Sequence, residues 1–180
     1  VYSFVKEDVK CFGGTDGKIE AIPTGGTAPY QLLANGNTFA LSSRVFRADS
    51  YQINVRDANN CISGVNTVQI QQPASPVTVQ LLEAKSPRGF GLKDGSISVE
   101  IKGGTGSFGN YGVTWTWDGG AITNEAKAEV GGALRTTLTQ TGGGNYQLRV
   151  TDTQFASALS KEGCTTTLNY FLAQPEKITA

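Results

Sequence analysis

The sequence predicts an all-β protein made of two tandem β-sandwich repeats. Two stretches match each other without a gap, CFGGTDGKIEAIPTGGTAPY at residues 11–30 and GFGLKDGSISVEIKGGTGSF at residues 89–108. Apolar and polar side chains alternate with a period of two in several short segments, which is typical of strands with one buried face. Asp-Gly, Gly-Gly and Asn-Gly pairs separate these segments and provide the backbone conformations that hairpin turns need.

Two further matches extend the repeat. The segment YQINVRDANNC at residues 51–61 is similar to YQLRVTDTQ at residues 146–154. A Gln-Pro pair ends each copy, at Gln72-Pro73 and at Gln174-Pro175. Because self-similarity in one order along the chain indicates a repeat architecture, these matches favour two copies of one module.

The matches also define domain limits. We predict repeat one at residues 1–73 and repeat two at residues 77–175. The intervening residues 74–76 contain a proline and are expected to form a short, stiff hinge. Residues 176–180 are expected to begin a following repeat, so the chain is expected to be a piece of a longer protein.

Five alternating segments are predicted strands, namely Lys18–Ile22, Tyr51–Val55, Thr67–Ile70, Ser96–Ile101 and Tyr146–Val150. Repeat two contains an insertion rich in Gly, Thr and Asn before its late strand, which is expected to form long hairpins and loops. Only the segment 124–130 within this insertion has a weak helical pattern.

The composition excludes several classes of function. The 180 residues include no histidine, so neither a His-dependent catalytic triad nor a His-ligated zinc site can form. Three cysteines are too few for a four-thiolate cluster, and 15 basic against 15 acidic residues argue against a nucleic-acid-binding surface. No apolar run is long enough to cross a membrane. Since no paired carboxylates and no nucleophile with a base are recognisable, we expect no enzymatic activity and no cofactor.

The cysteines are expected to form one disulfide. Cys11 precedes an early strand of repeat one and Cys61 follows a late one, so we predict a Cys11–Cys61 disulfide that stabilises this small sandwich by about 4 kcal/mol. Two buried free thiols in a cytosolic protein are the alternative. Gly89 stands in repeat two where Cys11 stands in repeat one, so Cys164 is predicted to be a buried free thiol, or else a reactive or intermolecular one.

Two tryptophans are the main candidates for ligand contacts. Trp115 and Trp117 lie two positions apart, so they share one face of a strand. We predict that both point into the core, because a central sandwich strand commonly carries a buried tryptophan. The alternative is an exposed aromatic platform that stacks on the sugar rings of a glycan.

A glycine-rich motif and four aspartates have simpler interpretations. The segment 104–109 matches GxGxxG, but it leads into a predicted strand and not a helix, which favours a turn over a dinucleotide site. Asp16, Asp57, Asp94 and Asp152 recur in pairs across the two repeats and are predicted to be turn residues. The alternative is that they bind Ca²⁺ between strands, although one or two carboxylates per site are few for calcium.

The motifs of repeat one resemble those of a known family. CFGGTDGKI at residues 11–19, GGTAPY at residues 25–30, the segment 51–61 and Gln72-Pro73 resemble the SprB repeat, which is named for the large gliding-motility adhesin of Bacteroidota. The resemblance covers nearly all of repeat one and is partial in repeat two. It implies an immunoglobulin-like module in a long surface protein that is exported by type IX secretion. The family offers no catalytic residues.

We therefore expect a segment of a filamentous adhesin at the extracellular cell surface. Its expected partners are neighbouring repeats of the same chain, surface glycans or other adhesin components, and not nucleic acid or the membrane interior. The alternative is an accessory spacer or carbohydrate-binding array of a secreted polysaccharide-degrading enzyme.

Overall fold

The computed structural model describes residues 1–104, 108–118, 120–153 and 164–178. The chain divides into two compact units, Val1–Ala74 and Ser75–Ala180. Both are built from antiparallel β-sheets, and the described residues contain no α-helix. The prediction of an all-β protein is therefore confirmed.

Unit one contains two antiparallel sheets. Its strands are β1 (Tyr2–Glu7), β2 (Gly17–Pro23), β3 (Gln31–Ala34), β4 (Asn37–Phe39), β5 (Ser42–Phe46), β6 (Asp49–Arg56) and β7 (Asn66–Ile70). One sheet has the order β1–β2–β5 and the other has the order β4–β3–β6–β7. The alternation in the sequence explains this arrangement, because in β2 Ile19 and Ala21 are buried whereas Lys18 and Glu20 form an ion pair on the outer face.

The core of unit one lies between its two sheets. Phe46 of β5 is its largest side chain and contacts the rings of Phe39 and Tyr51, with a centroid separation of 5.0 Å in each case. Both sheets contribute to the buried cluster, which consists of Val9, Ile19, Ala21, Leu32, Ala34, Phe46, Ile53, Val55, Val68 and Ile70. Burial of these side chains is the dominant stabilising contribution in a module of this size.

Hydrogen bonds join the first and last strands of unit one. The Val9 N–H donates to the Gln71 carbonyl oxygen at 2.9 Å, and the Gln71 N–H donates to Asp8 Oδ1 at 2.8 Å. The Lys6 ammonium donates to the Gln69 carbonyl oxygen at 2.7 Å. These bonds show that β1 and β7 run in the same direction, because the bonded positions advance together along both segments. The chain therefore enters this unit at one end and leaves it at the other.

Unit two repeats this arrangement with one additional strand. Its described strands are β8 (Ser75–Lys85), β9 (Gly95–Gly104), β10 (Tyr111–Trp117), β11 (Gly120–Ile122), β12 (Glu125–Val130), β13 (Ala133–Thr141), β14 (Gly144–Asp152) and β15 (Cys164–Leu172), with a 3-10 turn at Phe108–Asn110. The sheets have the orders β12–β13–β9–β8 and β11–β10–β14–β15. Strand β12 is the addition.

The weak helical pattern of residues 124–130 does not correspond to a helix, because β12 occupies residues Glu125–Val130. It pairs with β13 along its whole length, from Glu125 opposite Leu138 to Val130 opposite Ala133. The hairpin between them is closed by two glycines at positions 131 and 132, both with positive φ. As an edge strand with mostly exposed side chains, β12 contributes little to the core, which is why its apolar pattern is weak.

Trp115 is the largest buried side chain of unit two. It lies in a cluster formed by both sheets, which consists of Ile97, Val99, Ile101, Val113, Trp115, Leu134, Leu138, Tyr146, Leu148, Val150 and Leu172. The two cores are separate clusters, so each unit buries its own apolar side chains.

A tyrosine at equivalent positions of the two units closes the bend before β6 and before β14. The Tyr51 hydroxyl donates to the Arg47 carbonyl oxygen at 3.2 Å, and the Tyr146 hydroxyl donates to the Gly142 carbonyl oxygen at 3.0 Å. Such a tyrosine corner is a hallmark of immunoglobulin-like sandwiches. It supports that assignment for both units, and the immunoglobulin-like class stays a prediction.

The Gln-Pro motif has a structural role in both units. The Gly13 N–H donates to Gln72 Oε1 at 2.8 Å, and the Gly91 N–H donates to Gln174 Oε1 at 3.4 Å. In each unit the glutamine after the last strand thus binds the turn that precedes the second strand. The repeated motif therefore fixes a contact between the two ends of each unit's sequence.

The segment between the units differs from the expected hinge. Ser75 and Pro76 are the first residues of β8, so the connection from β7 consists of residues 71–74. Of the GxGxxG segment, Gly104 ends β9 and residues 105–107 lie outside the described residues.

Candidate functional site

The two tryptophans of β10 have different environments although they share one face. Trp115 is 0% exposed, and its indole Nε1 donates to Thr136 Oγ1 at 3.1 Å, so its polar atom is satisfied inside the core. Trp117 lies at the end of the strand and is 37% exposed. Position along the strand, and not the face, separates a core tryptophan from a surface one.

Trp117 lies beside a second aromatic ring and a cation. Its indole stacks on Tyr146 with a centroid separation of 6.2 Å and an interplanar angle of 12°. The Lys93 ammonium lies 5.9 Å from the centroid of the Trp117 ring, within the range of a cation–π contact. Gly144 allows this close approach, because a Cβ at that position would lie 2.4 Å from the indole nitrogen.

A cleft of about 260 Å³ opens beside Trp117. Lys93, Asn124, Gln140 and Tyr146 are among the residues that line it. Gln140 has a φ of +57° and lies in a β-bulge between β13 residues 139 and 141, which turns its side chain out of the regular alternation. The cleft thus combines an aromatic surface, a cation and amide groups, which are the groups that a sugar-binding site uses.

The sequence did not identify Lys93, Asn124 or Gln140 as parts of this cleft. These side chains come from three separate segments that only the folded sheets bring together. The glycine run 142–144 was the signal in the sequence that could have indicated the cleft, since the close approach of the Trp117 ring requires small residues there.

Asp57 acts as the organiser of a loop in unit one. Its carboxylate accepts backbone N–H groups from Thr27 at 3.1 Å and from Asn59 and Cys61 at 2.9 Å each. Desolvation alone would raise the pKa of Asp57, but these three bonds outweigh it and the pKa lies below its ordinary value. Asp57 also lines a cleft of about 380 Å³, where its carboxylate is already occupied by the loop backbone.

The other three aspartates are also engaged in turns or close packing. Asp16 Oδ1 accepts the Lys10 N–H at 3.2 Å. The Asp94 carboxylate accepts the backbone N–H of Arg88 at 3.0 Å and the guanidinium Nε–H of Arg88 at 2.6 Å. The guanidinium hydrogen bond is the main reason that the pKa of Asp94 lies below its ordinary value. Asp152 is buried at the end of β14.

These four aspartates do not form a common cation site. Asp16 and Asp57 lie at opposite ends of unit one, beyond the start of β2 and the end of β6, and Asp94 and Asp152 are separated in the same way in unit two. In the part of the chain that the structure describes, no three acidic or cysteine side chains come together in a group that could hold a metal ion. The observed bonds support the interpretation as turn residues, and calcium binding stays the alternative.

The predicted Cys11–Cys61 disulfide is wrong. Cys61 is a free and exposed thiol, and Cys11 is disulfide-bonded. The two residues belong to opposite ends of unit one, because the Cys11 turn is bound to Gln72 whereas the Cys61 N–H binds Asp57. The length of β6, about 25 Å, separates these ends, whereas a disulfide requires Cα atoms within about 7 Å.

The prediction that Cys164 is a free thiol is also wrong. Cys164 begins β15, is half-buried and is disulfide-bonded. Strand order in the sequence does not show which strand ends meet. Because β2 and β6 run in the same direction, the residues before β2 and after β6 lie at opposite ends of unit one.

Comparison with known protein families gives a match. Residues 3–39, which span most of β1 and all of β2 to β4, match the family model described as SprB repeat. Residues 3–39 carry a SprB-type repeat. No curated protein matches the chain. The SprB repeat family is typical of cell-surface, adhesin-type proteins. Among the described residues, there is no helix with the length and apolar character needed to span a membrane.

Proposed function

We propose that the chain is a segment of a long filamentous adhesin of the gliding-motility type, carried on the surface of a member of the Bacteroidota and exported by type IX secretion. The observation that carries this proposal is the SprB-type repeat at residues 3–39 together with a second unit that repeats the strand order of the first with one additional strand. Both units use the same tyrosine corner and the same glutamine contact.

The physical properties of the units suit a fibre. Each unit has its own core, so length can increase with copy number without a change in the stability of a single copy. The net charge of zero avoids repulsion between neighbouring copies. In this proposal the chain has no catalytic role and no cofactor, its neighbours are further repeats and other surface components, and it contacts neither nucleic acid nor the membrane interior.

Antibodies raised against the 180-residue chain test this proposal. They are expected to label intact cells of the source organism and to show labelled spots that move along the cell. Deletion of the corresponding gene is expected to abolish spreading on a solid surface. Antigen found only in the culture supernatant, with spreading unchanged in the deletion strain, would contradict the proposal.

The cleft beside Trp117 favours one second candidate, an accessory array of a secreted polysaccharide-degrading enzyme. A half-exposed indole with a cation and two amides suits contact with sugar rings. The complete reading frame separates the two candidates. A catalytic domain with paired carboxylates in the same polypeptide supports the enzyme, whereas many further repeats support the adhesin.

A further inference from the structure

Unit two presents a polar outer face on the sheet β11–β10–β14–β15. The side chains of β14 alternate, so that Tyr146 and Leu148 are buried in the core whereas Asn145 and Gln147 are exposed. Strand β15 alternates in the same way. We define the polar face by six residues, which are Thr116, Asp118, Asn145, Gln147, Asn169 and Phe171.

Strand register brings these six side chains together. Thr116, Gln147 and Asn169 lie opposite one another on three adjacent strands, and Asn145 lies opposite Phe171 in the next row. All but Phe171 line a shallow depression of about 360 Å³, which Tyr146 completes. The depression therefore has several planar hydrogen-bonding groups within reach of a single ligand.

The amides on this face are held in place but not saturated. Gln147 Nε2 donates to Asn169 Oδ1 at 3.1 Å, and Asp118 Oδ1 accepts the Asn145 N–H at 3.3 Å. Among the described hydrogen bonds, none engages Gln147 Oε1 or Asn169 Nδ2. An amide offers two donors and one acceptor, so both residues retain groups that can bind a ligand.

Phe171 is an exposed aromatic ring beside these amides. It is 70% exposed, whereas its neighbours Tyr170 and Leu172 pack on the core of unit two. Folding of β15 therefore does not require an aromatic side chain at position 171. No aromatic ring of the described residues packs on it, so its faces are open to a ligand.

The charges of unit two lie mainly on the other sheet. Its described ion pairs are Glu83–Lys85, Arg88–Asp94, Glu100–Lys102, Glu125–Lys127 and Glu100–Arg135, and each lies on β8, β9, β12, β13 or the turn before β9. Arg149 is the single charged side chain at the outward positions of β10, β11, β14 and β15. With Asp118 at the end of β10, this face is close to neutral overall.

We propose that the polar face of unit two binds a neutral polysaccharide. Amide and carboxylate groups can hydrogen-bond adjacent hydroxyl groups of a sugar, and the Phe171 ring can cover the apolar C–H face of a sugar ring. An acidic polymer would need clustered cations, which this face lacks. This inference rests on the proposed adhesin function and names its ligand surface, which differs from the cleft beside Trp117.

Affinity electrophoresis of the full 180-residue chain tests the ligand. Native gels contain hydroxyethyl cellulose, dextran or galactomannan as neutral polymers and polygalacturonate as the acidic one. We expect retardation by at least one neutral polymer and none by polygalacturonate. If no neutral polymer retards the chain, the proposal is overturned. Retardation by polygalacturonate alone assigns the surface to an acidic polymer instead.

Variants test the surface. Phe171→Ala and Gln147→Ala are each expected to weaken binding at least tenfold with an unchanged Tm, because both side chains are exposed. Phe90→Ala is the matched control, since Phe90 is 53% exposed on a turn of the same unit and is expected to leave binding unchanged. Equal binding by Phe171→Ala and the wild type overturns the proposal.

Two further outcomes separate this inference from others. Loss of binding in Trp117→Ala alone would place the ligand in the cleft and not on the polar face. Self-association that depends on Phe171, without polysaccharide binding, would assign the face to protein contacts. Surface labelling of cells by the antibodies described above is independent of all these results, so the adhesin function can fail or hold separately.

Discussion

At the scale of single residues, Asp57 shows how one carboxylate can organise a loop. Three backbone N–H groups from residues 27, 59 and 61 converge on its two oxygens. Without the carboxylate, these donors would have no partner of equal strength, because a charged acceptor forms a stronger bond than a neutral one. The sequence identified Asp57 as a turn residue but gave no indication of the reach to Thr27.

The lowered pKa of Asp57 predicts a specific pH dependence. A carboxyl whose pKa is lower in the folded than in the unfolded state stabilises the fold above its unfolded pKa, and that contribution is lost as the pH falls through the folded pKa. Asp57→Asn should therefore lower the Tm at pH 7, and the difference from the wild type should shrink as the pH falls below about 4.

Thermal unfolding measures this effect when it is followed by circular dichroism at about six pH values between pH 2 and pH 7. Asp49→Asn is the control, because the Asp49 carboxylate accepts only the neighbouring Ser50 N–H among the described bonds. A Tm difference for Asp57→Asn that is constant over the whole range would contradict the assigned role.

The two tryptophans predict different fluorescence in single-tryptophan variants. Trp117→Phe retains the buried Trp115, so its emission should lie at short wavelength and resist quenching by acrylamide. Trp115→Phe retains the half-exposed Trp117, so its emission should be shifted to longer wavelength and be quenched more strongly. Equal quenching of the two folded variants would show that the environments are not distinct, and equal spectra are expected only in denaturant.

At the scale of elements, the Asp-Gly pairs illustrate what a sequence motif can and cannot reveal. The pairs at 16–17 and 94–95 predicted tight turns, and the aspartates do bind the preceding turn. The glycines, however, are the first residues of β2 and β9 and are buried. A Cβ on Gly17 would lie 2.7 Å from the Phe46 carbonyl oxygen, and one on Gly95 would lie 2.7 Å from the Lys85 carbonyl oxygen.

These close approaches predict that neither glycine tolerates a side chain. Gly17→Ala and Gly95→Ala should each destabilise the corresponding unit by about 1–3 kcal/mol, because the neighbouring strand must move. Gly64→Ala is the matched control, since a Cβ added there would meet nothing within 4 Å and its effect should be close to zero or slightly stabilising. Urea unfolding provides the free energies, and wild-type stability in Gly17→Ala would refute the packing argument.

Much of the fold was predictable because a period of two has only one common structural explanation. Lys18–Ile22 and Ser96–Ile101 lie within the observed strands β2 and β9. The predictions that failed depend on how elements are placed in three dimensions. The segment 124–130 is a solvent-exposed edge strand with little apolar alternation, and the pairing of Cys11 depends on which ends of strands meet.

The candidate site was predictable only in part, for the same reason. Trp115 and Trp117 were predicted to share a face, and the core prediction describes Trp115. Whether Trp117 is covered depends on where β13 and β14 end, which no local pattern encodes. The exposed Phe171 was not recognised at all, because a single aromatic residue in a Thr-rich strand is more typical of the core.

At the scale of the whole molecule, two separate cores predict two folding units. Fragments 1–74 and 75–180 should each fold alone, because each contains both sheets that enclose its core. Trp115→Ala should destabilise fragment 75–180 by about 3–5 kcal/mol.

Differential scanning calorimetry of the fragments and of the full chain tests this independence. In the full chain, Trp115→Ala should shift only the transition that matches fragment 75–180, with the transition of fragment 1–74 as the internal control. An unfolded fragment would show that the corresponding unit does not fold alone. A shift of both transitions by the same amount would show that the two units unfold together.

The bonds between β1 and β7 have a mechanical consequence. Since both strands run in one direction, a pull between the two ends of unit one acts along them, and the bonds of Asp8 and Val9 to Gln71 resist it together in shear. Asp8→Ala should therefore clearly lower the unfolding force in single-molecule stretching, whereas the Tm should change little. An unchanged force would exclude this clamp as the point of resistance, and a reduced one would make unit one a tension-bearing link.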